Sequence, residues 1–339
     1  MTDVKLMKGN EALAEAVILS GCDGYFGYPI TPQSEIMEYL MAQKTEKRTG
    51  MVVLQAESEL AAINMVYGGA STGKKVMTSS SGPGISLMQE SISYLAGAEL
   101  PCLIVNVVRG GPGLGTIQPI AGRLFSVGKR GGGHGDYKLI VLAPASVQEM
   151  ADHVNLAFHL AFKYRNPALI LSDGVIGQMM EKVTFAPQLE RIDAETLDWP
   201  ITGDFKQRNR RVITSLELDP LKQEEMNLRL QAKYRDMEQH EIRYEAINCD
   251  GHIDFLLVSY GSSARVCAKS IELAAGKGIK VGLVRPVTLF PFPGKPIAEL
   301  SMGVKGVLTV EMSAGQLIED VRLAVGNNAP VKHFGRMGA

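Results

Sequence analysis

Met51-Val52-Val53-Leu54-Gln55-Ala56-Glu57-Ser58-Glu59-Leu60-Ala61-Ala62 is the stretch on which the fold turns. A short apolar run, 51–54, gives out and a small-residue helix pattern running to Ala70 takes over. The change of period reads as a strand delivering carboxylates to the start of a buried helix. In open α/β sheets, ligands bind at this junction, beyond the carboxyl ends of the strands. Two readings of the glutamates follow: carboxylates that favour a helix N-terminus through its dipole, or a buried acid facing a ligand. Residues at i and i+2 do not share a helix face. If Glu59 points inward, Glu57 does not, and Glu57 takes the helix-start role.

The same pattern recurs on either side. Tyr25-Phe26-Gly27-Tyr28 reads as a strand ending in Pro29-Ile30-Thr31-Pro32, whose prolines stiffen the turn before a helix pattern beginning at Gln33. Glu11 to Leu19 reads as an amphipathic helix, and Lys75 to Thr78 as another strand. Thr78-Ser79-Ser80-Ser81-Gly82-Pro83-Gly84 reads as a hydroxyl-rich loop opening a helix at Ile85. Cys102 to Val108 is nearly continuous apolar sequence, as in a strand covered on both faces, and ends at Arg109-Gly110-Gly111-Pro112-Gly113. A second glycine loop, 130–136, carries His134 and precedes strand 139–142, helix 147–162 and strand 168–171. This alternation predicts a doubly wound, mostly parallel sheet over residues 1–185.

Residues 186–250 read as a connector, punctuated by Pro187, Pro200 and Pro220 and carrying a charged, solvated helix from Leu221 to Tyr244. A smaller α/β unit spans 251–339, with strands at 255–258, 281–284 and 304–310, a Pro-rich turn segment at 285–293, and helices ending near Ala275 and Val325. The stop at Arg336–Ala339, just after an apolar stretch, leaves room for a further helix beyond it.

At 339 residues the chain is long enough for two domains, and 45% hydrophobic with 21% charged residues is ordinary globular composition. A net charge of -1 gives no global pull toward nucleic acid or anionic membranes. The 4 cysteines form no CxxC pair, which argues against a zinc ribbon or an iron–sulfur cluster held by this chain. No signal-peptide pattern and no membrane-length apolar run is present, so the expected location is cytoplasmic.

Several motifs tempt and fail. Gly68 to Lys74 fits the opening of a phosphate-binding loop, but Lys75 stands where a hydroxyl must hold magnesium, and the stretch follows a helix. Gly111-Pro112-Gly113-Leu114-Gly115 falls one residue short of a dinucleotide fingerprint. The 6 histidines show no metal-ligand spacing. What survives is a constellation at predicted strand ends of one sheet: Thr31, Glu59, Ser79 to Ser81, Arg109 and the His134 loop. An acid, an arginine and hydroxyls suit an anionic small substrate beside a nitrogen-containing cofactor.

Gly27-Tyr28-Pro29-Ile30-Thr31-Pro32, Glu59-Leu60-Ala61-Ala62, Thr78 to Gly84 and Val108-Arg109-Gly110-Gly111-Pro112 resemble the alpha subunit of 2-oxoacid:ferredoxin oxidoreductases, in order and spacing over 7–180. Gly261 to Arg265 and Val284-Arg285-Pro286 resemble its transketolase-C-terminal-like domain. Met7 to Ala12 and Tyr28 to Glu35 look most like the 2-oxoisovalerate, or branched-chain, type. The resemblance implies a pyrimidine-type thiamine diphosphate domain in this chain. It implies a partner beta subunit holding the diphosphate and Mg2+, gamma and delta subunits with [4Fe–4S] clusters on partner chains, and ferredoxin as acceptor. This sequence has neither the metal–diphosphate motif nor a cluster-binding cysteine run, so the chain alone is expected to be inactive.

By the same resemblance, Glu59 matches the acid that bonds N1′ of the aminopyrimidine and favours the imino tautomer. Pro29, Ser80 and Ser81 fall among the cofactor-binding positions, and Thr31 and Arg109 match the contacts to the 2-oxoacid. A guanidinium fork holds a carboxylate by two parallel bonds. The implied reaction is CoA-dependent oxidative decarboxylation of 2-oxoisovalerate to acyl-CoA and CO2. A 2-oxoglutarate- or pyruvate-specific enzyme of the family and a non-redox thiamine diphosphate enzyme subunit are the alternatives. The glycine-rich loops of 110–136 are expected to shape the acyl-side pocket.

Overall fold

Leu103–Val108, six consecutive buried residues, form the middle of the larger sheet, and the rest of the first unit is built out from them. The computed structural model describes residues 4–116, 132–201, 203 and 211–337. In chain order, β1 (Lys5–Lys8), α1 (Gly9–Leu19) and β2 (Gly24–Gly27) are followed by α2 (Ser34–Ala42), α3 (Thr45–Thr49) and β3 (Val52–Gln55). Next come α4 (Glu59–Ser71), β4 (Val76–Ser80), α5 (Gly82–Gly97) and β5 (Leu103–Val108). β6 (Ile140–Leu142), α6 (Val147–Tyr164), β7 (Ala168–Asp173), α7 (Gly174–Gln178) and β8 (Met180–Val183) follow. A 3₁₀ turn at Ala194–Thr196, α8 (Pro220–His240) and β9 (Tyr244–Ile247) lead to β10 (Phe255–Val258), α9 (Gly261–Ala275), β11 (Val281–Pro286) and β12 (Thr288–Phe290). The last elements are α10 (Gly294–Leu300), β13 (Gly306–Glu311), α11 (Leu317–Val325) and β14 (Val331–Gly335).

The larger sheet has the order β12-β6-β7-β5-β4-β2-β3 and is parallel except for β12. β4, β5 and β7 are buried along their whole length, which is why apolar and small residues dominate them, Asn106 in β5 and Asp173 at the end of β7 being the exceptions. The smaller sheet, β14-β13-β10-β11-β9, is parallel except for β9. These are the two α/β units expected from the alternation of strands and helices. The helices start where capping residues stand. Ser58 Oγ accepts from Ala61 N at 3.2 Å at the head of α4, and Ser146 Oγ accepts from Glu149 N at 3.1 Å at the head of α6. Among the described residues, no helix is long and apolar enough to cross a membrane.

Four local expectations change. α1 is not amphipathic: it packs between α2 and α6, and even Asn10 and Glu15 are buried. Thr78, Ser79 and Ser80 belong to strand β4 rather than to a loop. Ser79 tolerates that position because its Oγ pairs with Tyr25 Oη at 2.8 Å and donates to Gln33 Oε1 at 2.5 Å. The Pro-rich segment 285–293 contains β12, which leaves the second unit and pairs antiparallel with β6 at the edge of the larger sheet. The charged helix is not merely solvated either. Leu230, Tyr234 and Met237, at i, i+4 and i+7, are buried on one face, and Tyr234 meets the Phe290 ring edge-on at 6.4 Å. α8 stops at His240, and Tyr244 already belongs to β9.

Buried apolar residues of the two units form one cluster, and polar side chains also tie the units together. Asp173 Oδ1 accepts from Val175 N (2.9 Å) and Ile176 N (3.0 Å), capping α7, while its Oδ2 accepts from Ser262 N (3.1 Å) at the start of α9. Arg265 donates to Ala145 O at 3.0 Å and to Glu181 Oε1 at 2.8 Å.

Candidate functional site

The loop after β2 is fastened by the chain's first helix. Asn10 Nδ2 donates to Pro32 O (2.8 Å) and to Glu35 Oε2 (3.0 Å), and Glu35 also accepts from Lys8 Nζ (2.7 Å) and Gln178 Nε2 (2.7 Å). Gln33 Nε2 closes the turn onto Tyr28 O at 3.0 Å. Half-buried Pro29 and exposed Thr31 lie within this braced loop, and the Thr31–Pro32 peptide is cis. Across from it, Arg109 continues β5 and donates from Nη1 to Thr31 O at 3.1 Å. Arg109 Nε is buried with no partner among the described residues.

Glu59 is the first residue of α4 and only 7% exposed. Ser58, not Glu57, takes the helix-start role; Glu57 precedes the cap and is exposed. Glycine at 84 is required by close approach: a Cβ there would lie 2.1 Å from Ser80 Oγ and 2.6 Å from Glu59 Oε1. Glu59, Ser80 and the head of α5 therefore meet at one point. Gly82, with φ +30°, packs against the Arg109 side chain, where a Cβ would sit 3.4 Å from Arg109 Cγ. Ser80 and Ser81 are fully buried, and neither hydroxyl has a partner among the described residues. The structure thus brings together Thr31, Glu59, Ser80, Ser81 and Arg109.

It does not bring in His134. The His134 carbonyl accepts from Ser93 Oγ at 2.7 Å, and its ring meets Tyr94 edge-on at 5.9 Å. Ser93 lies eleven residues along α5 from Gly82, about 16 Å at the helical rise per residue. Arg130, Gly131 and the rest of 117–131 lie outside the described residues.

A cleft of ≈ 780 Å³ opens in front of Arg109. Its floor includes Asn106 and the Gly110–Gly113 turn, and its far wall is Met312, Ser313, Ala314 and Gln316 from the second unit. That wall is held by Glu311, 5% exposed, which accepts from Gln316 N (2.9 Å), Leu317 N (3.0 Å) and Ile318 N (3.1 Å) at the head of α11. These bonds satisfy donors that a helix start leaves free. The sequence reading missed both Glu311 and Asn106. Each left a signal: an acid just ahead of an apolar helix, and a lone amide inside the buried strand Leu-Ile-Val-Asn-Val-Val.

Chemically, an acid and two unpartnered hydroxyls recessed beside an arginine-bearing cleft fit an aminopyrimidine ring, which presents both donors and acceptors. The comparisons point the same way. A family model described as pyruvate flavodoxin/ferredoxin oxidoreductase, thiamine diphosphate-binding, matches residues 15–247. The model for pyruvate:ferredoxin oxidoreductase core domain II matches 253–339. The chain is 49% identical over 334 residues to the ketoisovalerate oxidoreductase subunit VorB of Methanothermobacter thermautotrophicus, covering 98% of this chain and 93% of that one. It is 38% identical over 341 residues to the 2-oxoglutarate synthase subunit KorA of Archaeoglobus fulgidus, covering 99% and 96%. Among solved structures, the 2-oxoglutarate:ferredoxin oxidoreductase from Magnetococcus marinus with 2-oxoglutarate, coenzyme A and succinyl-CoA bound superposes with TM-score 0.87 at 26% identity. That match covers 99% of this chain, which spans 63% of the solved chain's length. A split-gene transketolase, at TM-score 0.59 and 14% identity, shares the fold.

Fold and matches together define a subunit of a thiamine-diphosphate-type oxidoreductase. The chain belongs to the 2-oxoacid:ferredoxin oxidoreductase family, as an alpha-type subunit.

Proposed function

We propose that this subunit serves CoA-dependent oxidative decarboxylation of a branched-chain 2-oxoacid, 2-oxoisovalerate, with ferredoxin as electron acceptor. The carrying observation is the composition of the cleft. Arg109 is the only cationic side chain among its described lining residues, and Ile85, Leu87, Val108 and Met312 supply apolar surface. One guanidinium matches the single carboxylate of a branched-chain 2-oxoacid. 2-Oxoglutarate would bring a second carboxylate into that apolar space, where an unpaired charge is costly. The 49% identity to a ketoisovalerate oxidoreductase subunit, against 38% to a 2-oxoglutarate synthase subunit, supports the same choice.

In this reading Glu59 would hold a proton at N1′ of the aminopyrimidine, and Ser80 and Ser81 would satisfy its other polar atoms. Pro29 would shape the loop that covers the ring. Thr31 and Arg109 would bind and orient the 2-oxoacid. Thiamine diphosphate, when bound, supplies the electron sink that decarboxylation needs. A beta subunit would hold the diphosphate and Mg2+, while gamma and delta subunits would carry the [4Fe–4S] clusters. The test is viologen reduction by the purified complex with CoA and each of 2-oxoisovalerate, pyruvate and 2-oxoglutarate. The highest kcat/KM is expected for 2-oxoisovalerate; a higher value for 2-oxoglutarate would reject the substrate assignment.

A further inference from the structure

Asn106 sits at the fourth position of β5, a strand in which every residue is buried, and is itself 4% exposed. Nothing about a strand covered on both faces calls for an amide there, and burying one without a partner is unfavourable. Its Oδ1 has no hydrogen-bond partner among the described residues, and its Nδ2, the donor that a substrate oxygen requires, is bonded to none of them either. The nearest polar neighbour by register is Ser80, directly opposite on β4, yet Ser80 Oγ is also unpartnered, so the two do not satisfy each other. Asn106 lines the cleft floor with Arg109, whereas Glu59, Ser80 and Ser81 do not line it. The amide therefore stands on the substrate side of the site rather than on the cofactor side.

We propose that Asn106 is a substrate-binding residue, whose side-chain amide hydrogen-bonds an oxygen of the 2-oxoacid that Arg109 holds by its carboxylate. This rests on the function proposed above. With Thr31, two polar anchors from one strand, Asn106 within β5 and Arg109 just past its end, would define the orientation of the acid head and leave the acyl chain to the apolar walls. Arg109 and Thr31 leave substrate oxygens with acceptor capacity to spare, and the Asn106 Nδ2 adds a donor for one of them. The assignment also makes this position a determinant of specificity, since a carboxylate here would face the anionic head of the substrate.

The experiment compares Asn106→Leu and Asn106→Asp with the wild-type assembled complex. Three quantities are read: KM for 2-oxoisovalerate in viologen reduction, the calorimetric Kd for thiamine diphosphate, and the thermal midpoint. Asn106→Leu is expected to raise KM about tenfold, the effect of losing one hydrogen bond to a charged ligand. Its thiamine diphosphate Kd should be unchanged and its thermal midpoint no lower, because an apolar side chain suits this strand. Asn106→Asp, close in size, should raise KM further, and carries the test alone should the leucine variant not assemble. An unchanged KM overturns the inference. So does a weakened thiamine diphosphate Kd with unchanged KM, which would move Asn106 to the cofactor. A wild-type complex that reduces no viologen with any 2-oxoacid would instead sink the proposed function itself.

Discussion

Arg285 closes a two-bond fork on Glu149, Nη1 to Oε2 at 3.0 Å and Nη2 to Oε1 at 2.6 Å, tying strand β11 of the second unit to the first turn of α6. Its Nε donates in addition to Glu245 Oε2 at 2.8 Å, and Glu149 also accepts from Ala145 N at 2.7 Å. Arg285 is 4% exposed, so water cannot replace either carboxylate. Bonding to both holds its pKa above the ordinary arginine value despite burial, which acts the other way. Together with Asp173–Ser262 and Arg265–Glu181, this joint ties the unit that carries the 312–316 wall to the unit that carries Arg109.

Breaking the fork from one side should therefore cost more than removing it whole. Arg285→Ala leaves the half-buried Glu149 carboxylate with Ala145 N as its remaining partner of the three, and a loss of about 1–3 kcal/mol is expected. The double variant Arg285→Met with Glu149→Leu should recover much of that. Urea unfolding of the purified subunit measures both. Equal losses in the single and double variants would show that the pair is not coupled.

Gly84 gives a steric test. A methyl group there meets Ser80 Oγ and Glu59 Oε1 well inside contact distance, and both atoms sit in buried surroundings that cannot yield freely. Gly84→Ala should cost about 1–3 kcal/mol of stability and weaken thiamine diphosphate binding to the assembled complex. Gly68, in the middle of α4, has nothing within 4 Å of the corresponding position. Gly68→Ala should stabilise by about 0.5–1 kcal/mol and leave cofactor binding alone. A thiamine diphosphate titration in which the two variants behave alike would contradict this account of Gly84.

His153 supplies a pH signature. It is 5% exposed in α6, its Nδ1 has no partner among the described residues, and burial pushes its pKa down to about 4. Glu149 beside it opposes the shift, while Arg285 and Arg243 add to it. The folded state thus binds this proton less readily than the unfolded chain does. Its stability is complete above the ordinary histidine pKa of 6.5 and falls as the pH drops toward 4. Relative to His153→Gln, the wild-type subunit should lose on the order of 3 kcal/mol across that window. Carboxylates titrating in both proteins cancel in the comparison. Parallel stability curves from pH 7 to pH 4 would rule out a buried neutral imidazole.

Much of the fold was legible because buried parallel strands carry nearly continuous apolar runs and helices announce themselves by caps and period. Leu103–Val108 and Phe255–Val258 needed nothing more. β12 was hidden because Thr288-Leu289-Phe290 is short, flanked by prolines, and pairs with a strand nearly 150 residues earlier, Ile140–Leu142. Tyr234 and Met237 were hidden by the charge of α8, whose three buried residues make too narrow a stripe to outweigh its exposed face. At the candidate site, the meeting of Thr31, Glu59, Ser80 and Arg109 followed from the rule that strand ends share one edge. That rule misplaced His134, whose loop returns along α5 to Ser93 and Tyr94. It was silent on Asn106, which points from the strand's interior rather than its end, and on Glu311, which belongs to the other sheet.

The central claim concerns Glu59, and the isosteric change Glu59→Gln tests it most directly. The variant keeps the side chain's shape beside Ser80 and Gly84 but cannot hold a proton at N1′ as a carboxyl does. In the complex reconstituted with its partner subunits, 2-oxoisovalerate- and CoA-dependent viologen reduction should fall about a thousandfold, the scale of a lost acid–base group. Subunit assembly and thermal midpoint should stay at wild-type values. Turnover within a few-fold of wild type in the assembled Glu59→Gln complex would contradict the account.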